Sequence, residues 1–140
     1  MDKNILNAEG YKDLTSYKEI NNIAKTDKQS AYLPLVYICS PYRGDVDTNL
    51  MRARRYSYFA VSENTIPITP HLLFPQFMDD DIPSQRQLAM HFNYVLLGKC
   101  SQLWVFGDVI SEGMKYEIDL AKKRFMKIRY FDSSCKEVLK

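Results

Sequence analysis

The sequence predicts an α/β domain built on a doubly wound, mostly parallel sheet of about five strands, and three observations lead there. Short apolar, β-rich runs alternate with stretches of helical periodicity at the spacing of right-handed βαβ units. The clearest of those runs are continuously apolar, as strands covered on both faces are. The chain's 140 residues fall within the range of one compact domain able to bury its own core.

The elements follow in order. Residues 1–32 are polar, lysine-rich and weakly periodic, and are expected to form a helical arm ahead of an α/β domain over 33–140. Leu35-Val36-Tyr37-Ile38-Cys39 reads as a buried strand, stopped by Ser40-Pro41 because proline cannot continue the ladder. From Val46 to Glu63, Leu50, Ala53, Ser57, Ala60 and Val61 recur at helical spacing, with Arg52 and Arg55 pointing away. Ile66-Pro67-Ile68-Thr69 is a short strand whose proline assigns it to a strand start or a sheet edge. A long loop containing Phe74, Phe77 and Asp79-Asp80-Asp81 leads to Pro83. Ser84 is expected to cap a helix running to about Gly98, with Leu88, His91, Phe92, Val95 and Leu96 on one side. Leu103 to Gly107 is a second buried strand, a third helix runs from Ser111 to about Lys123, and Lys127 to Phe131 forms a last strand. That makes four strands, so a fifth is sought in the arm or the long loop.

Composition narrows the function classes. A net charge of +2 from 19 basic and 17 acidic side chains, mostly interspersed, creates no field that asks for a polyanion. Arg52, Arg54 and Arg55 near Tyr56 and Tyr58 invite a nucleic-acid reading, but a solvated helix face explains them as well. Cys39, Cys100 and Cys135 lack the paired short spacing of a zinc site and fit free thiols in a reducing compartment. No signal-peptide-like or membrane-spanning apolar stretch is present, so a cytoplasmic protein without membrane or nucleic-acid partners is expected, with no metal and no cofactor.

In doubly wound sheets ligands bind beyond the carboxyl ends of the strands, where this sequence is unusually polar. Ser40, Tyr42, Arg43 and Gly44 follow the first strand, His71 and the acidic loop the second, and Asp108, Ser111, Glu112 and Gly113 the third. At 100° per residue the helix after Ser111 has an apolar arc from Leu120 through Ala121, Phe125 and Met114 to Ile118, and Glu117 falls inside it. A buried carboxylate needs a reason. Either it pairs with a cation such as Arg43 near the helix N-terminus, or it is poised for chemistry. Ser111 as cap and Gly113 beside it would suit a phosphate, or simply an ordinary helix start. Tyr37 on a buried strand is usually core, and a lone loop histidine such as His71 is usually incidental.

The segments VYICSPYRGD, ITPHLLFPQF, LLGKCSQLWVFG and ISEGMKYEIDLA, in that order, resemble the nucleoside 2-deoxyribosyltransferase-like superfamily over about residues 35–131. Within it they are most similar to a small branch known only as a domain of unknown function. The resemblance implies a flavodoxin-like fold and a reaction at an N-glycosidic bond. It implies that Glu117 attacks C1′ of the sugar while Tyr37 orients it, as carboxylate nucleophiles do in retaining glycosidases. Serine at position 111 and arginine at 43 are similar to the deoxynucleoside 5′-monophosphate N-glycosidases rather than to relatives acting on free nucleosides. The substrate-binding set expected on these grounds is Ser40, Pro41, Arg43, Gly44, His71, Ser111, Gly113 and Met114. One position departs from the pattern: the second carboxylate, on the preceding helix, aligns with Asn93, whose amide cannot donate a proton as an acid does. Asp108 or Asp79 then substitutes for it, or catalysis is weak, or the domain only binds its nucleotide. A homodimer or higher homo-oligomer is implied as well.

Overall fold

The structure, a computed structural model, describes residues 32–140; the arm expected over 1–32 lies outside the described residues apart from Tyr32. Residues 34–140 form β1 (Leu35–Cys39), α1 (Val46–Ser62), β2 (Ile66–Ile68), two short 3₁₀ turns (Pro70–Leu72 and Phe74–Gln76), α2 (Pro83–Lys99), β3 (Gln102–Phe106), α3 (Glu112–Lys123), β4 (Lys127–Phe131) and β5 (Glu137–Val138). The strand order is β2-β1-β3-β4-β5. The first four strands are parallel, in registers such as Tyr37 opposite Leu103 and Trp104 opposite Arg129.

Both faces of the sheet are covered, which is why β1 and, after Gln102, β3 carry apolar side chains throughout. On one face Tyr37, Cys39, Leu103 and Val105 pack with Leu97 of α2 and with Met114, Ile118 and Ala121 of α3. On the other, Val36, Ile38, Trp104, Phe106 and Phe131 meet Tyr56 and Ala60 of α1. Tyr56 stacks on Phe106 with ring centroids 4.4 Å apart, so it is a core residue and not a base-stacking one. Val61, expected to face the sheet, is exposed, because the packed stripe of α1 runs through Ala53, Tyr56 and Ala60.

Three further expectations are corrected. The fifth strand lies in neither the arm nor the long loop. It is the two-residue β5, antiparallel to β4, returned by a turn in which Asp132 Oδ1 accepts from the backbone N–H groups of Ser134 and Lys136. Ser84 does not cap α2: Pro83 occupies the first helical turn and the extended Ile82 precedes it without a side-chain cap, as the residue before a proline favours. The packed side of α2 is also turned from the expected one. Phe92 and Leu96 face inward, but Leu88 (48%) and Val95 (43%) are exposed, and Gln85, Ala89 and Asn93 face a cavity instead.

The topology places the site. From β1 the chain crosses to β2 on one side, and from β3 to β4 on the other. The carboxyl ends of β1 and β3 therefore flank a switch point, the position where open α/β sheets leave a crevice.

Candidate active site

A cavity of about 240 Å³ occupies that crevice. Its floor is set by two short sequences. After β1, Ser40 is buried, and the loop that follows is pinned by Asn49 Nδ2, which donates to the carbonyls of Tyr42 and Arg43 at 3.0 Å each. After β3, Gly107 turns the chain at φ 103°, a conformation that favours glycine, and Ser111 caps α3 by accepting from Met114 N–H at 3.3 Å. A Cβ on Gly113 would meet no other atom within 4 Å, so the first turn of α3 is accessible from the cavity it lines.

Glu117 projects from α3 into this cavity and is only 8% exposed. The Tyr37 hydroxyl, rising from the strand beneath, donates to Glu117 Oε2. Burial drives the Glu117 pKa up to about 7, against the hydrogen bond from Tyr37 and the neighbouring Cys39 thiol, which favour the ionised form. No cation contributes to that balance. The Arg43 guanidinium, the partner that a purely structural carboxylate would need, is 2.8 Å from Asp80 on the acidic loop and donates to it through Nε at 2.9 Å. The reading in which Glu117 pairs with Arg43 is thereby corrected. Burial, together with the Glu117 carboxylate above it, pushes the Tyr37 hydroxyl well above its ordinary range, so it remains a donor.

His71 stacks on Tyr42 with centroids 5.0 Å apart, and its Nε2 lies 3.1 Å from the Ser40 carbonyl. That oxygen can only accept, so Nε2 carries the proton, and burial lowers the ring's pKa toward the neutral form. Two buried polar atoms, Ser40 Oγ and Asn93 Oδ1, have no hydrogen-bond partner, and both residues line the cavity. Buried groups of this kind are normally satisfied, so each is open to a hydrogen bond from a molecule in the cavity.

Ser40, Arg43, His71, Asn93, Ser111, Gly113, Met114 and Glu117 all line the cavity, with Tyr37 just below it. Pro41, Gly44 and Asp108 do not line it; Gly44 borders a neighbouring groove, and Asp108 is exposed on the loop after β3. Sequence reasoning passed over Arg86 and Met90, which line the cavity from α2 together with Asn93 and Leu97. Their spacing of four, three and four residues is a helical stripe and was a legible signal. Arg86 forms no ion pair among the described residues. Among those residues no cluster of three or more His, Cys, Asp or Glu side chains is placed to hold a metal ion.

A five-stranded, mostly parallel sheet with a cavity at its switch point is the flavodoxin-like architecture of nucleoside deoxyribosyltransferases. The chain belongs to the family defined by a domain of unknown function, DUF7768, whose model matches residues 34–131. Among solved structures it is similar to a 2-deoxyribosyltransferase from the psychrotolerant bacterium Bacillus psychrosaccharolyticus, with a TM-score of 0.60. The two are 11% identical, and the match covers 76% of this chain and 77% of that one, a distant relationship of fold. No curated protein matches the sequence.

Proposed function

We propose that this protein cleaves the N-glycosidic bond of a (deoxy)nucleotide, by hydrolysis or base transfer, with Glu117 as the nucleophile. The observation that carries this reading is a buried carboxylate in a switch-point cavity, held by a tyrosine and unpaired with any cation. The structural neighbour is a 2-deoxyribosyltransferase, which favours glycosyl transfer over other chemistry at such a carboxylate.

In the reaction, a carboxylate oxygen of Glu117 forms a bond to C1′ as the bond to the base nitrogen breaks, and its electron pair leaves with the base. The base takes up a proton. Water, or a second base, then attacks C1′ of the glycosyl ester and restores the carboxylate. Tyr37 fixes the rotamer of Glu117, and the dry surroundings leave the ionised form poorly solvated and reactive. The substrate's phosphate lies against Ser111 and the free N–H groups of the α3 N-terminus beside Gly113, where an anion is favoured. Arg43 reaches it by leaving Asp80, and Arg86 is a second cation on the same cavity.

Incubation with a panel of nucleosides and nucleoside monophosphates, followed by chromatography, tests the reading. Free base is expected from monophosphates, with the activity abolished in Glu117→Ala. Intact ligand throughout would refute it.

A second reading, nucleotide binding without cleavage, is favoured by Asn93, which lines the cavity and, by the family resemblance, aligns with the carboxylate taken to assist the leaving base. It predicts ligand recovered intact from a tight complex. Under either reading we propose that residues 33–140 are the functional domain, that the protein acts in the cytoplasm, and that it works as a homo-oligomer. The exposed apolar side of α2 continues into the cavity rim through Met90 and Tyr94, which supports a second copy covering it. No helix among the described residues is long and apolar enough to cross a membrane.

A further inference from the structure

We propose that Cys39 is a second positioning residue for Glu117, its thiol turning from the Met114 carbonyl to the Glu117 carboxylate when that group loses its proton. The proposal deepens the reading of Glu117 as the reactive carboxylate and rests on that reading for its purpose.

The geometry begins with strand alternation. Residues 37 and 39 of β1 are two apart, so their side chains leave the same face of the sheet, the face on which α3 packs. Tyr37 uses that position to reach Glu117. Cys39, fully buried one pleat further toward the cavity end of the strand, has its Sγ 3.8 Å from the carbonyl oxygen of Met114. A helical carbonyl points toward the helix C-terminus and bonds the N–H four residues on, so the Met114 oxygen lies at the level of Glu117 and Ile118. Met114 and Glu117 also share one face of α3, three residues apart. The thiol thus sits against the turn of α3 that carries Glu117, on the strand face from which Tyr37 already reaches the carboxylate, so a rotation about its Cα–Cβ bond turns it from the one acceptor toward the other.

One S–H can serve only one acceptor at a time. An ionised carboxylate outcompetes a carbonyl that already accepts a helical N–H, because a charged acceptor makes the stronger bond. The thiol therefore joins Tyr37 when Glu117 is ionised and returns to Met114 when it is protonated. Burial beside Glu117 pushes the Cys39 thiol well above its ordinary range, so it acts as a donor and not as a nucleophile. Two neutral donors stabilise the charged carboxylate without a formal positive charge that would blunt its attack. The charged groups of the same cavity, Arg43, Asp79, Asp80, Arg86 and Glu112, and the imidazole of His71, are not among the groups that shift Glu117. From α2, Arg86 is the one charged side chain on this cavity, alongside the uncharged Gln85, Asn93, Tyr94 and Leu97.

The test is a carbon-13 NMR titration of the glutamate carboxyls in the full chain, with the Glu117 signal identified by its loss in Glu117→Gln. Wild type is expected to titrate near pH 7. Cys39→Ala raises the midpoint by about half a pH unit, the effect of one weak hydrogen bond. Cys39→Ser, whose hydroxyl is the stronger donor, brings the midpoint below the wild-type value. Identical midpoints in all three proteins overturn the proposal. Should Cys39→Ala fail to fold, Cys39→Ser decides alone: its stronger hydroxyl donor must lower the midpoint, and an unchanged or higher one overturns the proposal. The titration uses no substrate, so a protein that releases no base would refute the proposed function while leaving this result readable.

Discussion

At the scale of the residue, Glu117 carries a measurable conflict between stability and function. Its folded pKa, about 7, lies above the unfolded value of about 4.5, so the native state holds a proton that the unfolded state releases. Stability from this group is therefore intact below about pH 4.5, falls as the pH rises through 7, and is fully lost above that. The difference amounts to roughly 3 kcal/mol. Glu117→Gln, neutral at every pH and nearly isosteric, is expected to match wild type in urea unfolding at pH 4 and exceed it at pH 8 by up to that amount. Equal stability at pH 8 would mean the carboxylate is better solvated than its burial indicates. Asn93 supplies a second prediction. If the missing proton donor limits base release, Asn93→Asp accelerates it in an assay at pH 6, toward the roughly 10²–10⁴-fold that general acids contribute; an unchanged rate would shift the leaving-group role elsewhere. Glu117 was legible in the sequence because helical periodicity alone puts it in an apolar arc. Tyr37 gained its role only from the family resemblance. The pairing of Arg43 with Asp80 was not legible, since an exposed arginine chooses among nearby carboxylates and this one lies 37 residues away on a loop.

Elements were legible where their signals are local. The strands β1, β3 and β4 announce themselves as apolar or β-rich runs, and Pro67 correctly assigns β2 to the sheet edge, beside β1 alone. β5 was not legible because two residues carry no periodicity; it is held by its turn and by Arg129, which pairs with Glu137 at 2.7 Å across β4 and β5. The far end of α3 shows the limit of a helical wheel. The arc extended through Phe125, but the helix stops at Lys123, and Phe125 adopts φ 56° with 95% of its surface exposed. There Met126 N–H reaches back to the Ala121 carbonyl at 3.0 Å, closing the helix with a left-handed residue where glycine is the usual choice. Phe125→Gly is accordingly expected to stabilise the protein by about 0.5–1 kcal/mol, read as a melting temperature a few degrees higher. A lower melting temperature would mean that the phenyl ring makes a contact outweighing its backbone strain. Gly98 is a milder case: a Cβ there would come within 2.9 Å of Arg124 Nη1, the far end of a flexible side chain that lies 4.5 Å from the Tyr94 ring and can move aside.

For the whole molecule, the sheet order brings Ser40, Asn93, Ser111 and Glu117, far apart in sequence, onto one cavity, and only the alternation of strands and helices made that convergence readable beforehand. The orientation of α2 was not readable, because a helix that lines a cavity on one side and bears apolar residues on the other has no single apolar stripe. Its exposed side predicts assembly. In size-exclusion chromatography with light scattering, a mass at least twice the 16.4 kDa of the chain is expected, reduced to that of one chain by Leu88→Glu with Val95→Glu. A wild-type monomer at high concentration would contradict it. The central claim, that Glu117 attacks a glycosidic carbon, is tested most directly by acid-quenching the protein during turnover of a nucleoside monophosphate and measuring the masses of its peptides. The account predicts that the peptide containing Glu117 gains the mass of the sugar phosphate and that no adduct forms in Glu117→Ala. Release of base from a protein whose Glu117 peptide stays unmodified, and whose Glu117→Ala variant releases base equally well, would contradict it.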